Sequence, residues 1–393
     1  MRGGGGIGDG LGDGVGTGAA LADGGGDGLE CATSGPRGVQ AERINNAPAS
    51  SAYLMFVLRT RWPNGYAGTN HAEQRVGIPM DNLDGIHHIS AITADATQNL
   101  LFYEGVMGLR LVKKTVNQDD PSVYHLFYAD EDGSPGADLT FFEYPGLVRG
   151  RAGAGMIHRI GIRVASRGAL EFWARRLASA GIESTLEGDL LRFEDPEGLG
   201  LELTAKPSAD EPLPAEHPEI PRHFALQGFA GVRAYERQKG ASHQFLTETL
   251  GFNSSDAFSF ESRGESRGSY YAYDAAPAAR GLSGSGTVHH VAWASTMAEH
   301  EAWRDRVIAG GGSPTPVIDR FYFRSIYFRE PSGVLFEIAT KGPGFTSDEP
   351  KEHLGERLSL PPDFEHLRAQ VEANLTPLPN LRLPAAGKAS AKG

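Results

Sequence analysis

The stretch HRIGIRVASRGALEFWARRLASAGIES, residues 158–184, decides how the rest of the chain is read. Ile160, Ile162 and Val164 alternate with more polar neighbours, the period of a half-buried strand. Leu170, Trp173 and Leu177 follow at helical spacing, and Gly181 stands where a helix commonly ends. Residues 190–194 and 200–204 then read as strands on either side of the turn Asp195-Pro196-Glu197-Gly198. The unit is β-α-β-β-β.

Outward from it, three more segments carry the same plan. They are HHISAITADATQNLLFYEGVMGLRLVKK from His87, FAGVRAYERQKGASHQFLTETLGFNSS from Phe229, and HHVAWASTMAEHEAWRDRVIAGGGSP from His289. Their helices are expected to end at Gly108, Gly251 and Gly310. Strands are expected at 124–129 and 138–144 in the first unit, 269–273 in the third, and 321–329 and 333–340 in the fourth. The second and fourth units share a Pro-containing turn, Phe193-Glu194-Asp195-Pro196 and Phe328-Arg329-Glu330-Pro331. Each turn leads to a final strand carrying Glu202 or Glu337 at the matching offset. This is duplication.

The fold class is therefore α+β, with four βαβββ modules in two halves. Residues 206–222, rich in Pro and Glu, read as an extended linker. It separates modules 1 and 2 (80–205) from modules 3 and 4 (223–346), and a C-terminal tail follows at 347–393. Residues 1–30 hold 14 of the chain's 52 glycines, with little to bury, so 1–79 is expected to be a disordered extension. Met80 reads as the natural start, and the apolar run 53–58 stands alone within the extension.

The 393 residues carry 37 Lys+Arg against 49 Asp+Glu, a net charge of −12. That balance argues against nucleic acid and anionic membranes as partners. No apolar run approaches transmembrane length. The single cysteine, Cys31, excludes an internal disulfide and a thiolate cluster, and points to a cytoplasmic protein.

The modules resemble the vicinal oxygen chelate superfamily, which includes glyoxalase I, extradiol dioxygenases and the fosfomycin and bleomycin resistance proteins. The pairs His87-His88 and His289-His290, and the run from Asp319 to Thr340, are most similar to its hydroquinone-type ring-cleaving dioxygenases. The resemblance covers about residues 82–346. It implies modules paired into two open β-barrel-like halves, with a divalent metal held by His88, His290 and Glu337. Strand alternation agrees in putting His88, rather than His87, on one face with Ser90 and Ile92. Two imidazoles and a carboxylate favour Fe(II), with Mn(II) as a variant.

The resemblance further implies that His87, His289, Arg320, Tyr327 and Ser90 surround the ligands. Arg320 would stabilise an anionic oxygen, Tyr327 would donate a proton, and His289 would act as acid or base. Glu143 and His125 remain alternative ligands, although the alignment brings Thr140 or Phe141 nearer that corner. Units two and three keep His158 and Glu202, but Ala230-Gly231 lacks an imidazole, so that pair is expected to serve packing or assembly. Phe127, Tyr322 and Trp293 are candidate pocket aromatics.

The implied activity is ring opening of a small aromatic diphenol by O2, with a homo-oligomer expected. A glyoxalase-like lyase or isomerase, and a non-catalytic binding module, are the competing classes.

Overall fold

The computed structural model describes residues 80–382. The expectations for 1–79, including the apolar run 53–58 and Cys31, lie outside the described residues.

All four modules form as β-α-β-β-β. In module 1, β1 (Ile86–Thr93) leads to a helix, Ala96–Leu100, that continues as a π-helical turn, Leu101–Val106. Then follow β2 (Arg110–Asn117), β3 (Asp120–Ala129) and β4 (Asp138–Glu143). Module 2 comprises β5 (Ile157–Arg163), the helix Arg167–Ser179, β6 (Ser184–Glu187), β7 (Leu190–Glu194) and β8 (Gly200–Thr204). Module 3 has β9 (Phe229–Glu236), a π-helical turn, Phe245–Thr249, β10 (Asn253–Asp256), β11 (Ser259–Arg263) and β12 (Gly268–Ala275). Module 4 has β13 (Thr287–Ser295), the helix His300–Ala309, β14 (Ile318–Asp319), β15 (Phe323–Arg329) and β16 (Leu335–Pro343).

Local chemistry accounts for the helices. Asp95 and Ser166 cap the first and second by accepting from the amides of Gln98 and Ala169. The stripe Leu170, Trp173, Leu177 is fully buried, as are Trp303 and Val307. Gly108, Gly181 and Gly251 end their helices with φ of +68°, +74° and +73°. In module 4 the left-handed residue is Gly311 instead of Gly310. Gly310 meets a different demand, because a Cβ there would stand 2.1 Å from Thr249 Oγ1.

Pairing between modules runs across the linker. One eight-stranded sheet has the order β14-β15-β16-β13-β1-β4-β3-β2, joining module 4 to module 1. The other runs β10-β11-β12-β9-β5-β8-β7-β6, joining module 3 to module 2. The strands that meet at each junction, β1 with β13 and β5 with β9, are antiparallel. Each junction has a register shift at its start, between Ile86 and His88 and between Ile157 and Arg159.

One face of the first sheet holds Ile89, Leu139, Val291, Phe336 and Ile338, which join the main apolar core. The opposite face carries the polar side chains described below. Trp293 belongs to the core face, against Phe252 and Phe336. It is therefore not a pocket aromatic, whereas Phe127 and Tyr322 lie in a separate apolar cluster with Phe323 and Phe345.

The two edges of the first sheet approach each other. Gln118, just past β2, donates to the Arg320 carbonyl, just past β14, at 2.9 Å. The C-terminal segment covers β2: the Ser359 amide donates to the Lys114 carbonyl, and Leu354, Leu360, Val371 and Leu375 are buried. A covered edge offers no free ladder to another chain. Among the described residues, no helix is long and apolar enough to cross a membrane.

Candidate metal centre

β1, β13 and β16 lie side by side, and their polar-face residues converge. His88 Nε2 and His290 Nε2 stand 3.2 Å apart. Glu337 Oε2 lies 3.2 Å from the first and 2.9 Å from the second. Three donors held at right angles about 2.1 Å from one ion would stand about 3.0 Å from each other. The triangle has that size. Among the described residues, no other His, Cys, Asp or Glu group is brought together in this way.

The carboxylate is prepared for a cation. Its Oε1 accepts from Ser325 Oγ at 2.5 Å, while the buried Oε2 makes no hydrogen bond of sound geometry. Burial alone would push its pKa up, but the two imidazoles outweigh that, and the group sits well below the usual carboxylate range.

Hydrogen bonds also fix the tautomers. His87 Nε2 faces the Thr340 carbonyl at 3.1 Å, and a carbonyl can only accept. Burial depresses the His87 pKa to about 3, so the ring is neutral and its Nδ1 is an acceptor. His88 Nδ1, 3.0 Å away, therefore donates, which turns Nε2 toward the other two donors. Burial disfavours charge on His88, but the Glu337 carboxylate outweighs it and raises the His88 pKa, so a metal at Nε2 would replace a proton there. His289 Nδ1 stands 2.8 Å from His290 Nδ1, and burial lowers the His289 pKa to about 3 as well. The register shift at Ile86/His88 buries both members of the first pair, so His87 is not an outward-facing neighbour.

Ser90 shares this face but bonds Thr140, Oγ to Oγ1, at 2.7 Å. Thr140 also meets His125 Nε2 at 3.0 Å. Ser90 pairs with Thr140 as Ala292 pairs with Glu337, so Thr140 holds in module 1 the place that Glu337 holds in module 4. Glu143 is turned away, accepting from the Ala96 amide. Tyr327 packs its ring 5.7 Å from that of His290, and Arg320 Nε reaches the Tyr327 hydroxyl at 3.4 Å. Phe323 covers His88, and Phe142 covers His289.

Two participants escaped the sequence reading. Ser325 could have been found by alternation, two residues before Tyr327. Thr340 acts through its carbonyl, which leaves no local signal.

The second sheet has no counterpart centre. Its register puts Arg159 where His290 stands and Gly231 where His88 stands. His158 thus matches His289 and not a ligand. It stacks on Tyr235 and bonds Asp274. Arg192 occupies Glu202 at 2.7 Å, and Tyr270 lies across Gly231 and Gly161, where side chains would collide with it.

A family model described as "Glyoxalase/Bleomycin resistance protein/Dioxygenase superfamily" matches residues 85–203 and 233–338. The chain belongs to this superfamily. Within the superfamily it is similar to the Bacillus subtilis (strain 168) protein named "Putative ring-cleaving dioxygenase MhqA". The identity is 40% over 313 residues, covering 75% of this chain and 99% of that protein. It is also similar to the "Chlorohydroquinone/hydroquinone 1,2-dioxygenase" of Sphingobium indicum, at 30% over 318 residues, covering 74% and 95%. The solved structure of a "putative dioxygenase" from Bacillus subtilis matches with a TM-score of 0.71 at 37% identity, over 76% of this chain and 98% of that one. This superfamily member therefore spans nearly the full length of those relatives.

Proposed function

We propose that the chain is a non-haem Fe(II) ring-cleaving dioxygenase that opens a hydroquinone-type or related diphenolic ring with O2. The observation that carries this reading is the triangle of His88, His290 and Glu337, with His88 Nδ1 facing His87 so that Nε2 meets the other two donors. The names of the full-length relatives support the same class.

Two imidazoles and one carboxylate suit iron(II), and Mn(II) fits the same donors. Such an ion, when bound, supplies neighbouring positions for a phenolic oxygen and O2 and a path for electrons between them. The chain supplies the rest. His87, fixed by the Thr340 carbonyl, orients the His88 ring, and His289 stands against Nδ1 of His290. Burial raises the Tyr327 pKa, so its hydroxyl stays protonated and able to donate beside His290. Phe323 and Phe142 wall the site against water and offer flat apolar faces to an aromatic ring.

A glyoxalase-like reaction with a four-ligand shell finds no second carboxylate to serve as fourth ligand among the described residues, because Thr140 stands at that register. The test is anaerobic loading with Fe(II), followed by O2 uptake with hydroquinones and catechols. Uptake with at least one diphenol is expected. None with any of them, despite bound iron, overturns the proposal.

A further inference from the structure

Arg320 lies between the two edges of the first sheet, and its partners come from both. Asp119, in the turn between β2 and β3, takes its guanidinium in a two-pronged grip, with Oδ1 to Nη1 at 3.1 Å and Oδ2 to Nη2 at 3.0 Å. Gln118 holds the Arg320 carbonyl from the same turn. The following residue, Phe321, has φ of +69°, a conformation that costs a non-glycine residue energy, and Asp319 Oδ1 accepts from its amide at 2.8 Å. The backbone at Arg320 is thus tied from two sides.

The grip leaves Nε–H as the inward donor. It faces the Tyr327 hydroxyl at 3.4 Å, with the guanidinium 5.5 Å from that ring's centre. A donor on one lone pair of the phenolic oxygen turns the phenolic hydrogen away from Arg320. The grip uses one N–H of each terminal nitrogen, and of the N–H groups outside it Nε–H is the one that meets Tyr327.

We propose that Asp119 is a positioning residue, acting through Arg320 to aim the hydroxyl proton of Tyr327 at the metal cavity. Asp119 belongs to module 1 and Tyr327 to module 4, so proton delivery depends on the two sheet edges meeting. The inference rests on the dioxygenase reading only for its kinetic arm.

The experiment compares Asp119→Asn, Asp119→Glu, Tyr327→Phe and the double variant Asp119→Asn/Tyr327→Phe in the full-length Fe(II) protein. With hydroquinone, Asp119→Asn is expected to lower kcat about tenfold with KM nearly unchanged, the pattern of a lost transition-state interaction. Asp119→Glu should recover most of the loss, and the asparagine should cost nothing further once Tyr327 is phenylalanine. Half the Asp119 side chain is exposed (56%), so raised salt should slow the wild type and spare Asp119→Asn. Losses that multiply in the double variant, or a changed KM with intact kcat, overturn the proposal. A second readout is free of turnover: exchange of the Arg320 Nε–H, followed by nitrogen-15 NMR in the Zn(II)-loaded full chain. It should quicken in Asp119→Asn. Unchanged exchange overturns the inference itself, whereas a wild type that turns over no diphenol overturns only the functional reading.

Discussion

The Nδ1 atoms of His87 and His88 stand 3.0 Å apart, and the Thr340 carbonyl at His87 Nε2 decides which of them carries the proton. The orientation of the His88 ring is thus set two hydrogen bonds away from it, by a backbone oxygen of β16. Replacing His87 by Phe keeps the ring volume but removes the acceptor. Metal affinity is expected to fall roughly 10–100-fold, the usual cost of losing such a support. Equilibrium metal titration of the purified variant checks this, and unchanged affinity would remove His87 from the relay.

Glu337 contributes the triangle's only negative charge. Glu337→Gln keeps the acceptor for Ser325 but loses that charge, so iron should leave on dialysis while the fold persists. Metal analysis with circular dichroism reads both. Retained iron would take Glu337 out of the ligand set.

Lys113 is fully buried on β2, donating to the Phe345 carbonyl at 3.1 Å and Asp348 Oδ1 at 2.7 Å, and paired with Glu349. It pins the C-terminal segment over the sheet edge. Lys113→Met leaves the buried Glu349 charge uncompensated, at an expected cost of about 3–5 kcal/mol. Adding Glu349→Gln should return part of it. Urea unfolding measures both differences.

Asp195 gives a pH signature separate from the metal centre. Its carboxyl accepts from the amides of Glu197 and Leu199 and from Tyr103 Oη, yet burial dominates and lifts its pKa from 3.8 to about 6. The folded state then binds the proton more tightly than the unfolded chain. The penalty is absent below the unfolded value and grows as pH rises through the folded one. Asp195→Asn should gain on the wild type by roughly 3 kcal/mol between pH 4 and 7, the worth of about two pKa units. Paired denaturation curves across that range test it, and a pH-independent difference contradicts it.

The modules were legible because each carries its own periodicity: Ile160-Ile162-Val164 and Leu170-Trp173-Leu177 need no distant partner to be recognised. Module pairing was not, since nothing local in β1 says that β13 lies beside it. The family resemblance pointed to His88, His290 and Glu337, and alternation agreed for His88. Trp293 lies three residues from His290 and so belongs to the core face instead of the pocket, and the repeat placed His158 one residue out of register with the His290 position. The C-terminal segment was hidden by its short helical turns, which lack a stripe long enough to read. Asp119 and Arg320 lie 201 residues apart, and only the closed sheet brings them together.

The most direct test of a dioxygenase centre at His88, His290 and Glu337 is isotopic. The Fe(II)-loaded protein is given hydroquinone under oxygen-18 gas, the aldehyde formed is reduced to the alcohol at once so that its oxygen cannot exchange with water, and the ring-opened product is weighed by mass spectrometry. Both labelled atoms should appear in one product molecule, and none should form with Glu337→Gln. A product carrying one label or none, or equal yield from Glu337→Gln, would contradict a ring-cleaving dioxygenase at this triad.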